Sequence, residues 1–266
     1  MKFKLLPLPL FLVMALTAPG IHAAVSYTTP ESIYTQNFDS LSGVTTWTNN
    51  STLTGWYART DATASITAIG SNTGTTTTGA LYSFGVAGTN LVSERSFGYA
   101  SSNGFTGGTP GTSKNYLGFN VNNNTGETMT TITIGYDGEQ WRKENNANSH
   151  GITVEYSLDA TSLTSGTWTS AGSALTFTSP LFAATTATAL DGNASANSVR
   201  GLTNTIGALS WSAGSGLWIR FVDLNDSGSD HQLAIDNVTF TAVPEPGPVL
   251  LGGLGLLALL RRRRIG

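Results

Sequence analysis

The chain has 266 residues, with Lys+Arg 13 against Asp+Glu 16, a formal charge of −3 and no cysteine. Lys2, Lys4 and Arg261 to Arg264 hold six of the thirteen basic residues, so Val25 to Ala242 keeps seven basic against fifteen acidic residues, a net of −8. That body repels phosphate backbones, which excludes nucleic-acid binding, and the missing thiols exclude disulfides, thiol nucleophiles and cysteine-based zinc sites.

From the amino terminus, MKFK is followed by the apolar LLPLPLFLVMALTAP and the small-residue GIHAA. A basic, an apolar and a small-residue region in that order predict a secretory signal peptide over residues 1–23, cleaved after Ala23 or, one residue on, after Ala24. Pro7, Pro9 and Pro19 disfavour an uncleaved anchor helix.

Residues 24–242 are predicted to form one all-β domain. Thr, Ser, Gly and Asn dominate, and period-2 alternation replaces any sustained helical pattern. Strands are expected near Ile33–Phe38, Gly55–Arg59, Ser65–Ile69, Ala80–Phe84, Arg95–Tyr99 and Tyr116–Val121. Further along, TMTTITIGY (Thr128–Tyr136) puts Ile132, Ile134 and Tyr136 on one face, and GITVEYSL (Gly151–Leu158) does the same with Ile152, Val154 and Tyr156. Leu175–Thr178 and Ile206–Trp211 are two more expected strands, before the doubly apolar GLWIRFVD and HQLAIDNVTF. About a dozen short strands split by Gly- and Asn-rich loops predict a single antiparallel β-sandwich of jelly-roll type. The last strand is expected to end near Thr241, where prolines begin.

Two polar concentrations are candidate sites. In YDGEQWRKENN, Glu139, Gln140, Trp141 and Arg142 combine an aromatic plane with amide and charged groups, the equipment for stacking on a sugar ring; the same residues also suit a core anchor with a paired rim. In RFVDLNDSGSDHQLAIDN, Asp223, Asp226, Asp230 and Asp236 fall within fourteen positions. A hairpin there would gather carboxylates that repel unless a cation neutralises them, and hard oxygen ligands suit Ca²⁺; Asp, Asn, Ser and Gly are equally ordinary turn formers. Glu139 and Asp236 are also the carboxylates from which a glycosidase pair could be drawn. Phosphate-binding, HExxH and G-x-S-x-G motifs are absent, and the expectation is a protein that is not an enzyme. His150 and His231 read as loop residues.

The chain ends in Val243-Pro244-Glu245-Pro246, an apolar stretch Val249–Leu260 and Arg261, Arg262, Arg263 and Arg264. As a helix the apolar stretch would rise about 18 Å, short of a hydrocarbon core of about 30 Å, and the arginines would stay cytoplasmic. Such a span suits transient retention in the inner membrane followed by release.

This ending, residues 243–266, resembles the PEP-CTERM sorting signal of Gram-negative bacteria. The resemblance implies processing near Pro-Glu-Pro by an exosortase-type membrane protease, then delivery to the cell surface or an exopolysaccharide matrix. It supplies an address and no activity. The AIDNVTF ending resembles the closing strand of extracellular jelly-roll modules, MAM-type and carbohydrate-binding-like domains among them, and there implies an acidic residue that organises a loop or helps hold an ion. With GEQWR, it is similar to a β-domain recurrent in PEP-CTERM proteins. The expected function is therefore a non-enzymatic exported surface or matrix protein associated with exopolysaccharide. A Ca²⁺-dependent carbohydrate-binding module is the alternative, and a glycan-active hydrolase the third reading.

Overall fold

The computed structural model describes residues 24–85 and 94–245. The expected signal peptide, and the sorting segment from Pro246 onward, lie outside the described residues. Among the described residues no helix is long and apolar enough to cross a membrane.

The strands in chain order are β1 (Val25–Tyr27), β2 (Tyr34–Gln36), β3 (Trp56–Thr60), β4 (Gly70–Asn72), β5 (Ala80–Phe84), β6 (Ser96–Ala100) and β7 (Lys114–Asn123). They continue with β8 (Met129–Lys143), β9 (Gly151–Ser157), β10 (Thr169–Ser170), β11 (Phe177–Thr178), β12 (Thr188–Ala189), β13 (Ser198–Ile206), β14 (Gly216–Leu224) and β15 (Gln232–Pro244). One α-helical turn, α1 (Asn103–Thr106), and two 3-10 turns, Asp39–Leu41 and Ser173–Leu175, interrupt them.

Two sheets pack face to face. The first has the order β1-β7-β14-β9-β10, with β3 also on β7 and β11 on β9. The second has the order β12-β8-β15-β6-β5-β4, with β13 also on β8 and β2 on β15. Most pairs are antiparallel; β1–β7 and β4–β5 are parallel. The expected sandwich is the observed fold.

The core between the sheets is aromatic. Trp56 of β3 stacks on Phe119 of β7 with centroids 4.9 Å apart, and Phe38 meets Trp56 edge-on at 4.9 Å. Across the layers, Tyr136 of β8 meets Phe221 of β14 at 5.1 Å, and Phe119 meets Phe240 of β15 at 6.2 Å. Such contacts add about 0.5–1.5 kcal/mol each beyond area burial, which helps a thiol-free domain hold together.

Several boundaries differ from expectation. β8 runs to Lys143, well past Tyr136, because its alternation persists: Ile132, Ile134, Tyr136 and Gly138 face the opposing sheet. Gly138 is needed there, since a Cβ would lie 2.3 Å from the Phe177 ring. The strand expected at Ile206–Trp211 is replaced by β13 just upstream, and only Phe177–Thr178 of the Leu175–Thr178 segment is extended. β15 continues through Val243 and Pro244, so the sorting motif begins inside the last strand.

The largest correction concerns β14 and β15. They do not form a hairpin: β14 lies between β7 and β9 in the first sheet, and β15 is flanked by β8 on one side and by β6 and β2 on the other in the second. Both strands are apolar on both faces and already have neighbours on both edges, so neither has an edge free for the other. The connection 225–231 therefore crosses from one sheet to the other.

Candidate functional site

That crossing redistributes the four predicted aspartates. Asp223 is buried at the end of β14, and its Oδ2 accepts from Ser101 Oγ at 2.6 Å and from Asn115 Nδ2 at 3.2 Å. Desolvation pushes its pKa up to about 7 against those two hydrogen bonds. Asp226 and Asp230, on the crossing connection, turn toward His150 at the foot of β9, whose Nδ1 lies 3.5 Å from Asp226 Oδ2 and 3.8 Å from Asp230 Oδ1. Asp236 sits on the outer face of the second sheet, among a different set of residues. A single ion shared by all four is not what this geometry offers, because β14 and β15 belong to opposite layers.

Asp236 instead joins Glu94 and Glu139, with one carboxylate oxygen from each lying within 4.8 Å of the others. Asp236 is opposite the β8 segment that carries Glu139, at register Ala234↔Glu139 and Asp236↔Asp137. Glu139 is wholly buried and Asp236 is 3 % exposed. Arg200 Nη1 approaches Glu139 Oε1 at 2.8 Å as an ion pair, though without an aligned hydrogen bond, while Asp236 Oδ1 is buried without a partner. Among the described residues Arg200 pairs with Glu139 and also with Asp137, so its single charge is shared. Burial, followed by mutual repulsion, pushes Asp236 up to about 8; burial pushes Glu139 up to about 7, against the pull of Arg200. Glu94 donates no order of its own to sequence reasoning, being distant along the chain, and the same holds for Arg200.

The Glu139–Arg142 stretch presents no exposed aromatic face. Trp141 is fully buried on the outer face of the second sheet, stacked on Phe84 at 5.8 Å, with its indole N–H shared between Ser96 Oγ at 2.7 Å and Glu139 Oε2 at 3.1 Å. Segment 190–192 closes over it: a Cβ on Gly192 would lie 2.4 Å from the indole. Gln140 is clamped to the backbone of Leu181 through both amide atoms, at 2.7 and 2.9 Å. Arg142 pairs with Glu144 and donates to the Gly74 carbonyl at 3.0 Å. The reason is strand continuation: β8 carries these residues under the 181–192 segment, where a loop would have exposed them.

A polar cleft of about 590 Å³ opens beside the crossing connection. Its walls include Ser101, Ser102, Asn103, Glu144, Asp230 and Gln232, and no aromatic side chain is among its lining residues. Sequence reasoning missed it, since its walls come from four separate segments: the 77 region, the start of α1, the end of β8 and the crossing connection.

The architecture and tail define an exported-type β-sandwich with a sorting sequence at its end: residues 242–264 match the PEP-CTERM protein-sorting motif. The match covers the tail and says nothing of the body. Among curated proteins no sequence matches the chain. Among solved structures, the chain is similar to the CBM22-1 xylan-binding domain of Xyn10C from Paenibacillus barcinonensis, at 11% identity and TM-score 0.38, over 83% of this chain and 100% of that one. It is similar also to the K1 cleaved adhesin domain of Lys-gingipain from Porphyromonas gingivalis W83, at 14% identity and TM-score 0.38, over 79% and 98%. The arabinose-bound MgGH51 α-L-arabinofuranosidase matches at 10% identity and TM-score 0.34, over 82% of this chain and 29% of that one. Likeness at this level assigns neither ligand nor activity.

Proposed function

We propose that the chain is an exported, non-enzymatic protein of the bacterial surface or extracellular matrix that binds a polysaccharide through the polar cleft. The sorting motif supports export, transient lodging in the inner membrane and processing by an exosortase-type protease. The cleft carries the binding half of the reading: hydroxyl, amide and carboxylate groups converge on about 590 Å³, a set suited to sugar hydroxyls held by hydrogen bonds. With a body net charge of −8, neutral glycans, or acidic ones bridged by a cation, are the ligands its field tolerates.

Gly104 gives a clean test. It lines the cleft, and a Cβ there meets no atom within 4 Å. Calorimetry with exopolysaccharide extracted from the producing cells should give a binding heat that Gly104→Trp abolishes at an unchanged melting temperature. No heat with the wild-type chain, or the same heat in the variant, removes the reading. An assay for reducing ends released from the same polysaccharide should stay at background.

A Ca²⁺-dependent form of this reading is favoured by the unpartnered Asp236 Oδ1. The all-oxygen group of Glu94, Glu139 and Asp236 fits a hard cation, which would neutralise the charge left over by Arg200. Calcium there would fix the outer face of β8 and β15. The burial of Glu139 and Asp236 supports the non-enzymatic reading over a hydrolytic pair.

A further inference from the structure

We propose that His150, Asp226 and Asp230 form a binding site for a divalent transition-metal ion of the Zn²⁺, Co²⁺ or Mn²⁺ type, at the edge of the polar cleft. The proposal is separate from glycan binding and from the all-carboxylate group on the other face.

Geometry comes first. The three side chains each offer a ligand atom, all within 4.8 Å of one another, with Nδ1 of His150 at 3.5 Å from Asp226 Oδ2 and 3.8 Å from Asp230 Oδ1. A first-row ion with bonds of about 2.0–2.2 Å keeps neighbouring ligands about 3–3.5 Å apart, so small side-chain rotations close the site. An imidazole nitrogen beside two carboxylates suits a borderline metal, whereas calcium takes oxygen ligands.

Among the described residues, no lysine or arginine pairs with these aspartates. The basic side chain within 4 Å of both, among those same residues, is His150, at 3.5 Å from Asp226 and 3.8 Å from Asp230. An imidazole nitrogen that is free of its proton is a metal ligand. An ion would supply the missing charge.

The surroundings hold the ligands in place. Asn146 Nδ2 donates to the carbonyls of Ser227 and Ser229 at 3.0 and 3.1 Å and lies 3.1 Å from His150 Nε2, tying the crossing connection to the ring. His231 packs against His150 with centroids 4.4 Å apart, and its own Nδ1 accepts the Glu144 amide at 2.9 Å. The amide of His231 donates to His150 Nδ1 at 3.0 Å, so loading exchanges that hydrogen bond for a coordinate bond and shifts the backbone at 230–231. Gly228, Ser229 and Asp230 line the cleft, which gives an ion both an entry path and open positions for water or a ligand oxygen.

The test uses the full mature chain, stripped with a chelator and titrated with Co²⁺, Zn²⁺ and Ca²⁺ separately. The expected result is one equivalent of Co²⁺ with visible d–d bands of a nitrogen–oxygen site, displaced by Zn²⁺ and untouched by equimolar Ca²⁺. Asp226→Asn and His150→Gln should each weaken Co²⁺ at least tenfold, and Asp226→Asn, whose side chain is 24% exposed, should keep the melting temperature of the stripped wild-type chain. Absence of the bands, displacement by Ca²⁺, or unchanged Co²⁺ affinity in both variants overturns the proposal. Glycan calorimetry reads none of these outcomes, so failure here leaves the cleft reading intact and the reverse holds as well.

Discussion

Arg200, from β13, reaches the wholly buried Glu139 of β8 at 2.8 Å across the outer face of the second sheet. Its side chain is 39% exposed, and its Nη1 is also 3.1 Å from Asp137 Oδ2. Removing it leaves buried negative charge uncompensated. Arg200→Ala should cost more than the about 0–1 kcal/mol of an exposed pair and less than the about 3–5 kcal/mol of a fully buried one. Urea unfolding measures this, and the added change Glu139→Gln should recover part of the loss. A loss in the double variant equal to that of Arg200→Ala shows that the charge is not what matters.

The buried acids set a pH dependence. Asp236 at about 8 and Asp223 and Glu139 at about 7 are raised above ordinary carboxylate values, chiefly by desolvation. The folded chain therefore binds more protons than the unfolded one between about pH 4 and 8, and each group's stabilisation is full below its unfolded pKa and lost as pH rises through the folded value. The metal-free protein should melt higher at pH 5.5 than at pH 8.5. A flat profile, or one rising with pH, contradicts these assignments.

Trp141 is a packing residue. Trp141→Ala should destabilise by about 3–5 kcal/mol, and Trp141→Phe by less, with glycan binding by the folded fraction unchanged. Loss of binding in a stably folded Trp141→Phe chain would restore the platform that burial removes.

Asn237 lies in the left-handed region at φ 48°, where the register between β15 and β8 slips from Asp236 to Thr239. Asparagine tolerates this conformation and β-branched residues do not. Asn237→Val should cost about 1–2 kcal/mol, while Asn237→Gly should be close to neutral in thermal unfolding. Equal melting of the two variants removes the backbone explanation.

At the tail, the proposed processing near Pro244–Glu245–Pro246 predicts that material released from the producing cells lacks Arg261 to Arg264. Intact-mass measurement of material shed from the producing cells checks this. Arginines retained on that material would contradict processing.

Alternating strands such as Ala80–Phe84 and Gly151–Ser157 are legible because period 2 is a local property of the chain. The sorting tail is legible for a similar reason: Pro-Glu-Pro, an apolar stretch and arginines act in linear order. The β8 extension was hidden, since Asp137 to Lys143 look like a polar loop until the 181–200 segment is folded over them. Its alternation, with Gly138 and Gln140 on one side and Glu139 and Trp141 on the other, was the available signal.

By itself, then, the order of residues determined an acidic, cysteine-free β body and its marked ending. Tertiary structure decided which carboxylates meet. Asp230 and Asp236 are six positions apart yet face different neighbours, because the chain changes sheets between Leu224 and Gln232. His150 and Glu94 enter those two groups from far along the chain, and only the packing of one layer against another brings such side chains within coordinating distance.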